Sequence, residues 1–571
     1  MKINGFKINY SAADIKRRIT KQVRKIVLID KEHEAYKNLS DGDKKALKYL
    51  VNAARIINDV ALEMDHPMNL VQKQALEVAA EKSPYAANAL KLFNMLNGVA
   101  GSNGVDKEPV EIFEGIHQYE GRNFYPTDLS SAELREILHN MLDAGLVAEV
   151  RRILSARTMV RREGKYLKAI DYTEYFAEEF SEIANELECA AHFTTDELFK
   201  DYLGWQAQAL LQNNEEMDIL ADKHWAEMQN TPLEFTLSRE NYDDKLTSTL
   251  FSDKVLCDRL EALHISPVPK DMLGVRVGIV NRKGTDLLLK FKEKMLELAE
   301  LMPYSDKYVQ NVGGKKGLKQ TMVDVDIVAL TGDYAQCRGG ITLAQNLPNN
   351  DKPSLAHGGG RRNVYHRQVR QSTDKEKVKK ILQHLVIPEL HKYYQDEADH
   401  LFTIGHENGH SLGPDSSYQT ALGIYHHIIE EHKADMVSAA MMPEYVKAGI
   451  ISEEELKSIY LTWVVKRHFM IAFPQDREAH RMADLIEFNY LFDYGAFWFD
   501  ADKKLHVDFA KIQSGSRSLL EKIIEVQLSK SPEVAKKFVD KWTEWSKILQ
   551  DIADFKQSLG IRPYIDIVSS F

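Results

Sequence analysis

Cysteine is almost missing from this chain: 571 residues contain only Cys189, Cys257 and Cys337. The number is odd and no CxxC pair occurs. That excludes a disulfide framework and a thiolate zinc site, and it fits a reducing compartment. Long apolar runs are missing too. Nowhere is there a stretch of about 18 apolar residues, so no transmembrane helix is expected. Met1 to Asp30 scatters Lys and Arg among apolar residues without a continuous apolar core or a cleavage site, so no signal peptide is read there. Excess positive charge is also lacking. Lys plus Arg is 74 against 85 Asp plus Glu, a net charge of −11, which argues against nucleic acid or an anionic membrane as the main partner. The expected location is the cytoplasm. The rest of the composition is that of a globular chain, 44% hydrophobic and 28% charged, which excludes extensive disorder. At roughly 100–200 residues per domain the length suggests about three to five domain-sized units.

Helical periodicity dominates. Residues 43–66 carry apolar side chains at i, i+3, i+4 and i+7, and similar stripes run through 131–155, 172–191, 193–212, 285–302, 374–388, 516–529 and 531–559. Strand-like segments are fewer: Leu233–Ser238, Val275–Asn281, Met322–Leu330 and Leu505–Phe509. The most irregular stretch, 331–363, clusters Asn, Asp, Gly and Pro, and a loop that long inside a regular chain is functional or disordered. Two glycine-rich runs, Gly313-Gly314-Lys315-Lys316-Gly317 and Gly358-Gly359-Gly360, do not fit the phosphate-binding pattern GxxxxGK[ST] and read as flexible basic loops. Cys337 has no base near it in sequence and reads as structural.

The chemistry concentrates between Leu401 and Asp435. His406-Glu407-Asn408-Gly409-His410 is an HExxH pentapeptide. On a helix its two histidines lie one turn apart on one face and can bind one Zn²⁺, with the Glu beside the open position as general base for water. Gly413-Pro414 is expected to end this helix. Gly409 weakens it by about 1 kcal/mol relative to Ala, which points to a close packing need. A second helix is expected from Ile424 to Met442, closed by Pro443. It carries Glu430-Glu431-His432-Lys433-Ala434-Asp435, and Glu431 follows His410 by 21 residues, room for a turn and a return to the metal. His406, His410 and Glu431 then make a His₂Glu zinc set, one ion per chain. Asp435, one turn beyond Glu431, can hold the free ring nitrogen of a ligand histidine. Glu430 is the alternative third ligand. His426 and His427 are expected to be packed or hydrogen-bonded rather than ligands, and His432 and Lys433 to face solvent or a neighbouring acid.

HENGH with EEHKAD resembles the metal motifs of the dipeptidyl peptidase III family, in which the first motif commonly has one residue more. The chain resembles in particular the peptidase-like half of plant Nudix hydrolase fusions, where Gly-Pro also follows the motif. Further stretches extend the resemblance. Glu240-Asn241-Tyr242 is similar to the family's Glu-x-Tyr element at the substrate's N-terminal end. Gly274 to Asn281 is similar to the strand after it. Asn346-Leu347-Pro348-Asn349 resembles the Asn-x-Pro-Asn substrate loop, and Glu478-Ala479-His480 the Glu-x-His element whose imidazole faces the reacting carbonyl. The resemblance covers residues 230–571 well and the N-terminal part loosely. No Nudix box occurs, so diphosphate hydrolysis by that route is not expected.

The resemblance implies an α+β, mainly helical, two-lobed metallopeptidase: a helical zinc-binding lobe, a lobe with a β-barrel-like core, and the site in the cleft between them. The expected division is 1–281, the N-terminal helices and the start of the β-containing lobe; 282–328, part of the helical lobe; 329–372, the rest of the β-containing lobe with the substrate loop; and 373–571, the helical catalytic lobe and tail. The implied activity is a zinc-dependent exopeptidase releasing dipeptides from short peptides, by metal-activated water with Glu407 as general base. His480 or Tyr242 would donate to the oxyanion, and Glu240, Asn346 and Asn349 would hold the substrate's ammonium and first peptide group. The alternatives are a peptide-binding protein of the same fold with little turnover, or a zinc hydrolase acting on a non-peptide substrate. Oligomeric state is not legible.

Overall fold

The computed structural model of the chain describes residues 1–102, 108–240, 244–310, 320–335, 343–347, 360–475, 477–560 and 562–571. In chain order, the elements that matter for the site are β1 (Val23–Val27), α1 (Asp41–Asp65), α2 (Ala177–Phe193), α3 (Glu197–Gln212), β2 (Leu233–Glu240), β3 (Met272–Val280), α4 (Arg282–Glu293), β4 (Gln320–Gly332), β5 (Ala344–Leu347) and β6 (Arg361–His366). They are followed by α5 (Asp396–His410), α6 (His426–Lys447), α7 (Glu453–Trp463), α8 (Ala479–Asp493), α9 (Phe509–Ser529) and β7 (Tyr564–Val568).

Two large apolar cores organise the chain. The first joins Leu47, Leu50, Ala54 and Ile57 of α1, Phe180 and Leu187 of α2, Phe199 and Leu203 of α3, and Phe235, Val275, Val277 and Val323 of the sheet. The second joins Leu288 and Phe291 of α4, Phe402 of α5, Ile429 and Val437 of α6, Trp463 of α7, Leu485 of α8 and Ile523 of α9. These are the two lobes of a mainly helical α+β fold. Met322, Ala344 and Tyr365, all from the sheet, pack into the second core, so the sheet is where the lobes meet.

The sheet has five strands in the order β5-β6-β4-β3-β2. Strands β4 and β6 run parallel and the other pairs antiparallel, with a bulge in β4 between Ile327 and Ala329. Strand β3 is buried at all its positions, because α1 lies across it and β4 and neighbouring strands flank both of its edges. A run of that kind, MLGVRVGIV, has no polar face to give it a two-residue rhythm. The barrel-like core is corrected to an open sheet: among the described residues no bond joins β5 back to β2. Five strands turning about 20–25° each do not come full circle, and α1 covers the face that closure would have hidden.

The helical stripes form helices, several of them divided. The 43–66 stripe is α1, capped by Ser40, whose hydroxyl accepts from the Asp43 N–H. The 131–155 stripe breaks at Gly145, which has φ +76°. The 531–559 stripe splits into Pro532–Trp542 and Lys547–Ser558. Pro443 does not close α6. The helix continues to Lys447, because the Tyr460 hydroxyl donates to the Ala439 carbonyl (2.9 Å), the acceptor that an N–H at position 443 would have served. Strand β7 pairs in parallel with β1, Tyr564 opposite Val23 through Val568 opposite Val27, so this end of the sequence packs on the N-terminal part. No helix among the described residues is long and apolar enough to cross a membrane.

Candidate metal centre

Helix α6 runs through the middle of the helical lobe, packed on α5, α8 and α9. The motif Gly accounts for how close α5 comes. A Cβ on Gly409 would stand 2.7 Å from the Ala434 carbonyl oxygen and 2.9 Å from its Cα, and a Cβ on Gly405 would run into Ser438. The two helix backbones therefore touch along the face that carries His406 and His410. Helix α5 ends at His410, and Gly413 turns the chain away with φ +92°.

That approach brings three donors together. His406 Nε2 lies 3.2 Å from His410 Nε2 and 3.4 Å from Glu431 Oε2, and His410 Nε2 lies 3.7 Å from the same oxygen. Donors about 2.0–2.2 Å from one tetrahedral zinc stand roughly 3.3–3.6 Å apart. The spacings and the N₂O chemistry fit Zn²⁺, and three protein donors leave a fourth position open.

Each of the two histidines is held from behind. His406 Nδ1 faces Asp435 Oδ1 at 2.7 Å, and that oxygen also accepts from Arg467 Nη1 at 2.9 Å. His410 Nδ1 faces Glu430 Oε1 at 3.0 Å, which Lys433 Nζ meets at 2.8 Å. Glu430 thus stands behind His410, and Glu431 faces both ring nitrogens. Arg467 sits in a π-helical turn, Val464–His468, that continues α7. Burial pushes the His406 imidazole down, but Asp435 and Glu431 outweigh it and raise it to about 10. Burial likewise works against Glu431, yet the surrounding imidazoles hold it well below the usual carboxylate range. A metal arriving here displaces a proton.

Glu407 is buried beside the donors. The Tyr365 hydroxyl of β6 is pushed well above its ordinary range by burial and then by the Glu407 charge. His480, the second residue of α8, reaches Glu431 Oε2 with Nδ1 at 3.0 Å and is 56% exposed on its side chain. Glu478 caps this helix, accepting from the His480 and Arg481 N–H groups.

On the sheet side, Glu240 ends β2 and accepts from Ser238 Oγ (3.2 Å) and from the Tyr334 hydroxyl (3.3 Å). Tyr334 bonds Arg276 of β3, whose guanidinium also bonds Gln345 of β5. Asn346 is the next residue of β5, its backbone paired with Asn363, and β5 packs on α5. Glu240 and Asn346 thus share one sheet whose edge meets the metal-site helix. Tyr242, Asn349 and Cys337 lie outside the described residues, as do residues 313–317, Gly358 and Gly359.

His426 bonds the Gly423 carbonyl (3.1 Å) and packs its ring, tilted by 38°, against His427. His432 and Lys433 are fully buried and do not face solvent. Lys433 does meet an acid, Glu430. Helix α6 is buried at every position from His432 to Pro443, so a charged residue in that stretch has no wet face to occupy. Sequence reasoning missed Tyr365 and Arg467. Neither stands at a fixed spacing from the motif. The one signal for Tyr365 is its place in the strand-like run after the glycine-rich loop.

The fold is that of dipeptidyl peptidase III. A solved structure of dipeptidyl peptidase III from Caldithrix abyssi superposes over 97% of this chain and 99% of that one, with a TM-score of 0.79 and 25% identity. Another, from Corallococcus sp. strain EGB, covers 98% of this chain and 97% of that one, with a TM-score of 0.73 at 20% identity. Among curated proteins, Nudix hydrolase 3 of Arabidopsis thaliana is 23% identical over 545 residues, 86% of this chain. The match spans 66% of that relative's length. No family model matches the chain.

Proposed function

We propose that this protein is a zinc-dependent exopeptidase that releases dipeptides from the N-terminus of short peptides. The observation that carries the reading is the convergence of His406, His410 and Glu431, at spacings one tetrahedral ion would bridge, inside a fold shared with dipeptidyl peptidase III structures. Zn²⁺ held by these three would supply Lewis acidity and make water a nucleophile near neutral pH.

The chain's own groups do the rest. Glu407 takes a proton from the attacking water and returns it to the departing amine. His480 donates Nδ1–H to Glu431 and, as the imidazolium that this carboxylate favours, keeps an Nε2–H for the carbonyl oxygen as negative charge builds there; Tyr242 is assigned the same duty. Release of dipeptides requires that the substrate's ammonium be sensed. Glu240 is the carboxylate for it, held in place by Ser238 and Tyr334, with Asn346 and Asn349 beside the first peptide group. We divide the lobes at 1–281, 282–328, 329–372 and 373–571, with Tyr564–Val568 returning to the first.

The test is metal content together with a panel of dipeptidyl arylamides. Wild type is expected to hold one zinc at this site and to cleave only peptides with a free amine. Glu407→Gln is expected to keep the zinc and to lose kcat by about 10²–10⁴-fold. Zinc at this site without turnover of any free-amine peptide would overturn the reading and leave a peptide-binding protein of this fold. Equal cleavage of acetylated peptides would remove the exopeptidase part.

A further inference from the structure

Behind the three-donor site lies a second cluster that the proposed peptidase chemistry does not use. Asp435 of α6 and Asp484 and Glu487 of α8 bring one carboxylate oxygen each to within 4.8 Å of one another. Asp484 and Glu487 are three residues apart and so share one helix face. Asp435 and Glu487 are completely buried, and Asp484 keeps 8% of its surface exposed, toward which an ion can enter.

The cluster keeps free valences. Asp435 uses Oδ1 for His406 and Arg467, and its Oδ2 has no hydrogen-bond partner among the described residues. Glu487 uses Oε2 for His468 Nε2 at 3.1 Å, and its Oε1 has none. The independent observation is His432. This imidazole is fully buried, neither ring nitrogen has a partner among the described residues, and Nε2 faces Glu487 Oε1 at 3.9 Å. That gap is too long for a hydrogen bond and suits two groups that share a third body.

We propose that Asp435, Asp484 and Glu487 form a second cation site, with His432 beside Glu487, that takes a divalent ion of the Mn²⁺ class. Donors each about 2.1–2.4 Å from one such ion stand at most roughly 4.2–4.8 Å apart, a limit the three carboxylate oxygens meet. Three ionised carboxylates carry three negative charges, and among the described residues Arg467 is the one Arg or Lys bonded to them, His406 being neutral when it holds a metal; Arg481 and Lys556 act on Asp484 only at longer range. The remaining two negative charges match a divalent ion. Three hard oxygens and one imidazole, with no thiolate, select Mn²⁺ or Zn²⁺ over soft metals. The site shares only Asp435 with the first and uses its other oxygen. Protons are the competing occupants, since burial and the neighbouring acids push Asp484 to about 7 and Glu487 well above the carboxylate range.

The experiment dialyses the full chain against Zn²⁺ with Mn²⁺ and counts metals per chain, with Mn²⁺ electron paramagnetic resonance and anomalous scattering to locate the second ion. Wild type is expected to hold two metal ions, one of them between α6 and α8, the second as Mn²⁺ or as Zn²⁺. Asp484→Asn and Glu487→Gln, made singly, are expected to drop to one while keeping the Zn²⁺ on His406, His410 and Glu431. A single metal in wild type, or a second one retained in both variants, overturns the proposal. Should either variant fail to fold, the wild-type count and the anomalous position still decide. Failure of the peptidase reading would register separately, as loss of the first Zn²⁺ or absent peptide turnover with the second ion in place.

Discussion

Gly409 sets how near the metal-site helix can come to its partner. Alanine there gains up to about 1 kcal/mol of helix propensity, but its Cβ must enter the 2.7 Å gap to the Ala434 carbonyl. Backbone cannot swing aside as a flexible side chain would, so Gly409→Ala is expected to destabilise the protein by roughly 1–3 kcal/mol and to weaken zinc binding. Urea unfolding with a metal titration checks both. This requirement was legible in the sequence, because a helix-weakening residue inside a metal motif has few other reasons to be there. The placement of Asp435 and Glu431 followed the same way from one-turn spacing. Arg467 and His432 were not legible. No local period links residues 435 and 467, and a lone charged or imidazole side chain on a helix looks wet until the helix is seen to be enclosed.

Helices α6 and α7 show how one element completes another. Proline at position 443 removes an N–H and should have stopped α6, and the Tyr460 hydroxyl stands in for it at the Ala439 carbonyl. Tyr460→Phe strands a buried acceptor and is expected to cost about 1–3 kcal/mol. In a Pro443→Ala background the restored N–H can take that carbonyl, so the same change is expected to cost about 1 kcal/mol less. A double-mutant cycle by urea denaturation measures the difference, and equal costs in both backgrounds would exclude the compensation. Element type was readable from periodicity throughout. Element ends were not, because Gly145 breaks its stripe through a left-handed backbone that periodicity does not report, and Pro443 is completed by Tyr460, distant in sequence. Strands β2, β3 and β4 of the sheet were readable as strands, while β5 and half of β6 lie in the stretch read as a loop; the open surface was not readable, since pairing order is a property of the assembled chain.

For the whole molecule, the three-donor site ties α5, α6 and, through His480, α8 into one body, and the proposed zinc would add to that tie. A ligand that binds only the folded state stabilises it by about 2.7 kcal/mol at one hundred times its Kd. Stripping the metal with a chelator is therefore expected to lower the unfolding temperature of the helical lobe, with the N-terminal lobe less affected. Two calorimetric transitions, of which only one shifts with added Zn²⁺, would record this; a uniform shift would mean that the lobes unfold together. The two-lobed plan came from the resemblance, because composition and length allowed several modules and could not tell a discontinuous lobe from a string.

The pairing of β7 with β1 has a bearing on synthesis. A ribosome makes Val23–Val27 early and Tyr564–Val568 after both lobes' other elements have emerged. Until then β1 carries an open strand edge that any other extended segment can borrow, the kind of surface that holding chaperones recognise. A stalled or prematurely terminated product would keep that edge indefinitely, and the cell's quality control would have a simple mark by which to tell it from the finished protein.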